Sequence, residues 1–196
     1  KGFSGVRKEA EDHLAKLDRT SIKDLDKEVF YKSVILTCDG IIRFAEKYGI
    51  EAEKLAKVEA NEQRKYELEK IAKICTRVPA NPPESFHEAI QFVWFTQLGG
   101  IISENPLALN PGRFDQFMYP YYKKDTEKGI ITKEEAQELI EALWLKFSEW
   151  VWTISSNTAG FFAGYNQFQN LTVGGRTREG IDATNELSYM CLKATD

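Results

Sequence analysis

Apolar positions recur at spacings of three and four along most of the chain, the mark of helices that bury one face. Ser4 is placed to cap a first amphipathic helix bearing Val6, Ala10, Leu14 and Leu17. Phe30, Val34, Cys38, Ile41, Ala45 and Tyr48 trace a second, with Gly49 as its stop signal. A glycine inside it, Gly40, costs roughly 1 kcal/mol against alanine without forbidding the helix. A third runs from about Glu51 to Thr76, with Leu68, Ile71, Ala72 and Cys75 on one stripe. The run Val78-Pro79-Ala80-Asn81-Pro82-Pro83 breaks the pattern, because proline removes a donor and restricts its predecessor. Pro82, Pro83 and Glu84 then suit the first turn of the next helix.

The stretch Gly99 to Tyr122 is the pivot of the chain. The unbroken apolar run Phe92 to Leu98 has no polar face for solvent, so it is predicted buried and leading into a short strand at Ile101 to Ser103. Beyond it lie Ser103-Glu104-Asn105-Pro106 and Asn110-Pro111-Gly112-Arg113, a polar loop between two core-type segments. Polar groups held against an interior need partners, from a ligand or from a hydrogen-bond network. That makes the loop the candidate wall of a site.

Phe114, Met118 and Tyr121 then share a helical face that runs to about Lys124, with Pro120 as a kink or early end. Lys128-Gly129 turns the chain, and Thr132 with Glu135 forms a capping box. The helix it opens carries Ala136, Leu139, Ile140, Leu143, Phe147, Trp150, Val151 and Ile154, and Ser155 to Gly160 ends it. Phe161 to Gly164 fits no single pattern, while Gln167 to Val173 reads as a short buried strand. Asp182 is placed to cap a last helix with Ala183, Leu187, Met190 and Cys191 inward. The pattern is mainly α with a few strands, without an internal repeat of 20 to 50 residues.

Composition narrows the function classes. A net charge of -4 gives no electrostatic reason to expect nucleic acid or an anionic membrane as partner. The three cysteines, Cys38, Cys75 and Cys191, are odd in number and far apart, which fits reduced core thiols of a cytoplasmic protein. No apolar run reaches membrane-spanning length, and no signal peptide opens the chain. Asn170-Leu171-Thr172 matches a glycosylation acceptor, which a cytoplasmic protein would not use. A start at Lys1 rather than methionine, and an end at Asp196 inside a helical pattern, lead us to expect a piece of a longer protein.

Short motifs carry little chemistry. His87-Glu88 begins like a zinc-protease helix, yet the second ligand position holds Gln91, and His13 is the only other histidine. Gly174-Gly175-Arg176 could cradle an anion but lacks a phosphate-loop signature, so it reads as a turn. Glu149, flanked by Trp144, Trp150 and Trp152, is either a buried carboxylate or, as its helix face favours, exposed. No Ser/His/Asp or Cys/His grouping stands out.

Longer stretches say more. Arg77-Val78-Pro79-Ala80-Asn81-Pro82-Pro83-Glu84-Ser85-Phe86 and Pro111-Gly112-Arg113-Phe114-Asp115-Gln116-Phe117-Met118-Tyr119-Pro120-Tyr121-Tyr122 together resemble the glycyl radical enzymes. The resemblance is to the branch around glycerol dehydratase, choline lyase and the arylacetate decarboxylases, kin of pyruvate formate-lyase. It spans nearly all of 1–196, which would be a partial N-terminal to central part of the domain. It implies the helical shell and first strands of a ten-stranded α/β barrel, with a radical passed from a C-terminal glycine to a cysteine on a loop inside. None of the three cysteines lies in a Gly-Cys-Val-Glu sequence, and no Arg-Val-x-Gly-Tyr motif is present, so no catalytic residue is assigned here. The thiyl cysteine and the radical glycine are expected downstream, and these residues alone should support no lyase reaction.

Dehydratase-type members carry Ile-Glu-Ser-Asn-Gly-His-Ser before the Pro-Gly-Arg-Phe-Asp-Gln motif, and use the His and Ser to grip hydroxyl groups. Here those places read Ile102-Ser103-Glu104-Asn105-Pro106-Leu107-Ala108, and Leu107 and Ala108 cannot hydrogen-bond a polyol through their side chains. Gly99 to Leu107, Ser148 to Ser155 and Gln169 to Gly175 look most like the large subunit of 4-hydroxyphenylacetate decarboxylase and its arylacetate relatives. That resemblance implies radical decarboxylation of an arylacetate, with Ser103, Phe161 and Phe162 as substrate-binding residues and no metal in this chain. It also implies a glycyl radical installed by a radical-SAM activating enzyme, a small iron–sulfur subunit, and homo- or hetero-oligomers. A glycyl radical dehydratase and a non-catalytic helical interaction module remain as alternatives.

Overall fold

A computed structural model describes residues 1–18, 20–106, 108–150, 153–162 and 169–196. Its helices are α1 (Gly2–Leu14), α2 (Ile22–Val58), α3 (Glu62–Arg77), α4 (Phe86–Glu104), α5 (Phe114–Glu127), α6 (Lys133–Ser148), α7 (Ser156–Phe162) and α8 (Glu186–Lys193). Two isolated β-bridges join Gly112 with Leu171 and Arg176 with Asp182, and Ala108 also sits in a bridge. The chain divides into two compact units, Lys1–Pro83 and Glu84–Asp196.

In the first unit, α2 packs against both α1 and α3. Ser4 does not cap α1. The helix starts two residues earlier, and the amides of Phe3 and Ser4 donate to the Pro79 and Ala80 carbonyls, each at 2.9 Å. Gly49 does not end the second helix either, because α2 runs nine residues further, to Val58. The break falls instead at Glu59 to Asn61, where the Asn61 side chain accepts from the Arg64 amide at 3.0 Å and caps α3. Gly49 is buried in the helix because α3 passes close by. A β-carbon there would sit 3.0 Å from Thr76 Cγ2 and 3.2 Å from the Ala72 carbonyl. Small side chains, Ala52, Ala56 and Ala72, continue this close seam around Leu68. Gly49→Leu should therefore force α2 and α3 apart and destabilise this unit by about 1–3 kcal/mol. Urea unfolding followed by helical circular dichroism reads the cost, and an unchanged first transition would show that the seam can open freely.

The second unit is built around Phe86, Phe114, Met118, Tyr122, Ile140 and Leu187, each at most 1% exposed. Its first helix starts at Phe86, so Pro82 and Pro83 precede it rather than form its first turn. Ser85 caps it, accepting from the Glu88 amide at 3.2 Å, and the buried Asp125 carboxylate takes the Phe86 amide at 2.7 Å. The burial of Phe92 to Leu98 holds in large part: Phe95 is buried, and Phe92 and Trp94 are half-buried. The expected strand at Ile101 to Ser103 is absent, because α4 continues through it to Glu104. A helix packed on several sides is apolar all round, which hides the 3.6-residue period that would distinguish it from a strand.

Helix α5 passes through Pro120 and ends only at Glu127, and Gly129, at φ +65°, makes the expected turn. The Thr132–Glu135 capping box forms in both directions. Helix α6 stops at Ser148, short of the Ile154 that its apolar pattern reaches, and Ser156 to Phe162 form α7 instead of a terminator. Val151, Gly164 and Gln167 to Phe168 lie outside the described residues; in place of the expected strand, Leu171 pairs only with Gly112. Asp182 does not cap the last helix. It turns the chain by accepting from the Thr184 amide and hydroxyl (3.0 and 2.8 Å), and Asn185 with Ser188 forms the capping box of α8.

Candidate functional site

The loop between α4 and α5 is held by its own polar side chains. Ser103, in the last turn of α4, is exposed, and its hydroxyl donates back to Gly99 O at 2.9 Å, with Gly100 O at 3.3 Å. Asn105 closes the helix in the left-handed region, at φ +43°. Its Nδ2 donates to the Thr153 carbonyl at 2.7 Å, and its Oδ1 accepts from the Thr153 amide at 3.3 Å. Further along, Leu109 folds back on α4 so closely that a β-carbon on Gly100 would lie 2.7 Å from Leu109 Cδ2. Asn110 Oδ1 accepts from the Asn170 amide at 2.8 Å.

The Pro-Gly-Arg-Phe-Asp-Gln stretch continues this stitching. Gly112, at φ +77°, presents its carbonyl to the Thr172 amide at 3.0 Å. Arg113 Nη2 donates to Gly174 O at 2.9 Å and Arg176 O at 3.2 Å. Phe114 enters the core, and Gln116 Nε2 donates to Ala183 O at 2.7 Å. Asp115 is fully buried. One of its oxygens accepts from the Gly174 amide at 2.6 Å and from Ser188 Oγ at 2.5 Å. Gly174 and Gly175, both at positive φ, turn the chain here as expected, and the Gly174 amide is spent on the chain's own Asp115 side chain.

The three residues expected to bind substrate lie on two helices, and among the described residues no hydrogen bond or ring contact joins Ser103 to either phenylalanine. Ser103 lies in the last turn of α4, while Phe161 (81% exposed) and the half-buried Phe162 lie on α7, which follows the Thr153 anchor. Leu107 lies outside the described residues, and Ala108 is exposed. Asn105 and Asn110 are the residues that sequence reasoning misses. Their signal is present, since each precedes a proline, a setting that disfavours helical backbone and leaves an asparagine free for local hydrogen bonds.

Elsewhere the chemistry is quiet. Glu149 is exposed and paired with Lys146 at 2.6 Å. No group of three His, Cys, Asp or Glu side chains gathers as a metal site among the described residues. Cys38, Cys75 and Cys191 are buried free thiols on helices. Burial pushes Cys75 up to about 11, and burial with the nearby Asp115 charge pushes Cys191 up to about 12. Burial also raises Cys38, with the Asp39 charge adding to it. None fits the role of a reactive, pocket-facing thiol. All three should resist iodoacetamide at pH 8 until the chain is denatured. Mass spectrometry checks this, and rapid labelling of the folded chain would contradict it. Among the described residues, no helix is long and apolar enough to cross a membrane.

Known proteins match this arrangement over its whole length. The chain is 40% identical over 197 residues to the isethionate sulfite-lyase of Oleidesulfovibrio alaskensis, covering 99% of this chain and 24% of that protein. It is 39% identical over 194 residues to the indoleacetate decarboxylase of Tractidigestivibacter scatoligenes, covering 98% and 22% respectively. A structure concerned with 1,2-propanediol dehydration in Roseburia inulinivorans superimposes with a TM-score of 0.95 at 41% identity, over 99% of this chain and 24% of that one. The chain therefore spans about a quarter of the length of these relatives. Lyase, decarboxylase and dehydration enzymes stand at nearly equal distance, so the likeness does not single out the arylacetate branch. The family model described as pyruvate formate lyase-like matches residues 1–196, and the chain belongs to that family of glycyl radical enzymes.

Proposed function

We propose that the full-length protein is an oxygen-sensitive glycyl radical lyase that decarboxylates an arylacetate such as 4-hydroxyphenylacetate, and that this chain supplies one wall of its pocket. The observation that carries the reading is the state of the Ser103 hydroxyl. Its proton is committed to the Gly99 carbonyl, so towards a ligand it offers lone pairs, a match for a phenolic hydroxyl donor. The two positions after Pro106 offer no side-chain polar group to a polyol. Phe161 and Phe162 supply aromatic surface for a ring.

The net change, ArCH2COO⁻ + H⁺ → ArCH3 + CO2, is redox-neutral. The radical, held on a glycine and a cysteine outside these 196 residues, supplies the homolytic step. An activating enzyme of the radical-SAM class installs it, and a small iron–sulfur subunit and an oligomeric, cytoplasmic setting belong to the same proposal.

The test uses full-length protein activated anaerobically, offered 4-hydroxyphenylacetate, indoleacetate, isethionate and 1,2-propanediol in turn. Cresol with carbon dioxide is the expected product. A second reading, sulfite release from isethionate, is favoured by the 40% identity to the sulfite-lyase, and sulfite without decarboxylation would establish it in place of the first. Diol dehydration alone would replace both. Within the first reading, Ser103→Ala should weaken 4-hydroxyphenylacetate binding by about 0.5–1.5 kcal/mol, the net worth of a neutral hydrogen bond. Unchanged kinetics in a normally folded variant would remove Ser103 from the pocket.

A further inference from the structure

We propose that Asn105 and Asn110 are positioning residues that hold the aromatic α7 segment in place relative to Ser103. The inference rests on the reading of Ser103, Phe161 and Phe162 as pocket wall. Two asparagines five positions apart grip two points seventeen positions apart, Thr153 and Asn170. Helix α7 lies on the chain between those points, so both feet of that excursion stand on the loop that directly follows Ser103. Asn105 grips Thr153 through both its amide and its carbonyl, acting as one more stretch of backbone would. Pro106 and Pro111 follow the two asparagines and fix φ there, and Leu109 packs onto Gly100. Thr153 stands three residues before α7, so holding it fixes the point from which that helix departs.

The two asparagines differ in a way that a test can use. Asn110 uses only its oxygen, which an aspartate also has. Asn105 uses oxygen and nitrogen together, and an aspartate there would face the Thr153 carbonyl with a second acceptor. In full-length protein, hydrogen exchange at the Thr153 and Asn170 amides would be measured beside kcat and KM for 4-hydroxyphenylacetate. Asn105→Gly keeps the left-handed backbone accessible and removes the side chain. It should speed exchange at Thr153 about five- to tenfold, the factor a neutral hydrogen bond is worth, and raise KM more than it lowers kcat. Asn110→Ala should do the same at Asn170. Asn110→Asp should restore both readouts, and Asn105→Asp should restore neither.

Unchanged exchange in Asn105→Gly and Asn110→Ala would overturn the proposal, as would Asn110→Asp behaving like Asn110→Ala. A parent enzyme that turns over 4-hydroxyphenylacetate, with KM unmoved in all four variants, would also overturn it. Faster exchange in a protein whose parent form never turns over that substrate would uphold the tether and bring down only the pocket reading beneath it.

Discussion

Asp115→Ala is expected to destabilise the Glu84–Asp196 unit by about 3–5 kcal/mol, because it strands two buried donors at once. The Gly174 amide and the Ser188 hydroxyl both give their hydrogens to one Asp115 oxygen, and Asp115 and Ser188 are no more than 3% exposed. Each unpaired buried donor costs about 1–3 kcal/mol. The Asn185 side chain donates to the Asp115 backbone carbonyl at 3.3 Å, a contact the substitution leaves in place. Urea unfolding by tryptophan fluorescence is the right measurement, since Trp94, Trp144 and Trp150 pack in or against the core of this unit. Asp115→Asn, which keeps an acceptor oxygen, should lose less. A shift below about 1 kcal/mol for the alanine variant would mean that residues 174–188 are held by other contacts.

Next in size is Phe114→Ala. The ring is fully buried and meets Trp144 edge-on at 5.4 Å and Phe117 at 5.6 Å between centroids. Deleting it removes the transfer free energy of the ring and leaves a cavity between α5 and α6, together about 3–5 kcal/mol. Phe114→Leu refills part of that volume and should recover part of the loss. Because Trp144 loses a packing partner, its emission should change even in folded protein. A stable variant with unaltered emission would show that the unit collapses into the gap at little cost.

What the sequence made legible was mostly local. Thr132 and Glu135 announce a helix start by chemistry that needs no partner, and the structure forms that box. The cysteines fall on apolar stripes and are buried. The failures occur where distant parts of the chain decide. A glycine with no β-carbon serves equally to end a helix or to admit a neighbour, and only the approach of Thr76 and Ala72 shows that Gly49 does the second. Asp182 and Asn185 are both good caps, and the helix begins after whichever one tertiary contacts favour. Asn185 has that support, from the Asp115 carbonyl. The candidate loop was legible as a polar segment against the core. Its partners at Thr153 and Asn170 were not, since nothing in a one-dimensional pattern marks pairings 48 and 60 residues apart.

Gly112 to Gln116, the stretch that most readily reveals kinship, has every residue occupied in holding its own unit together. A search string written around those letters would therefore collect proteins that share a latch and remain blind to what each of them cleaves. Substitutions there would register as lost stability before they registered as altered chemistry.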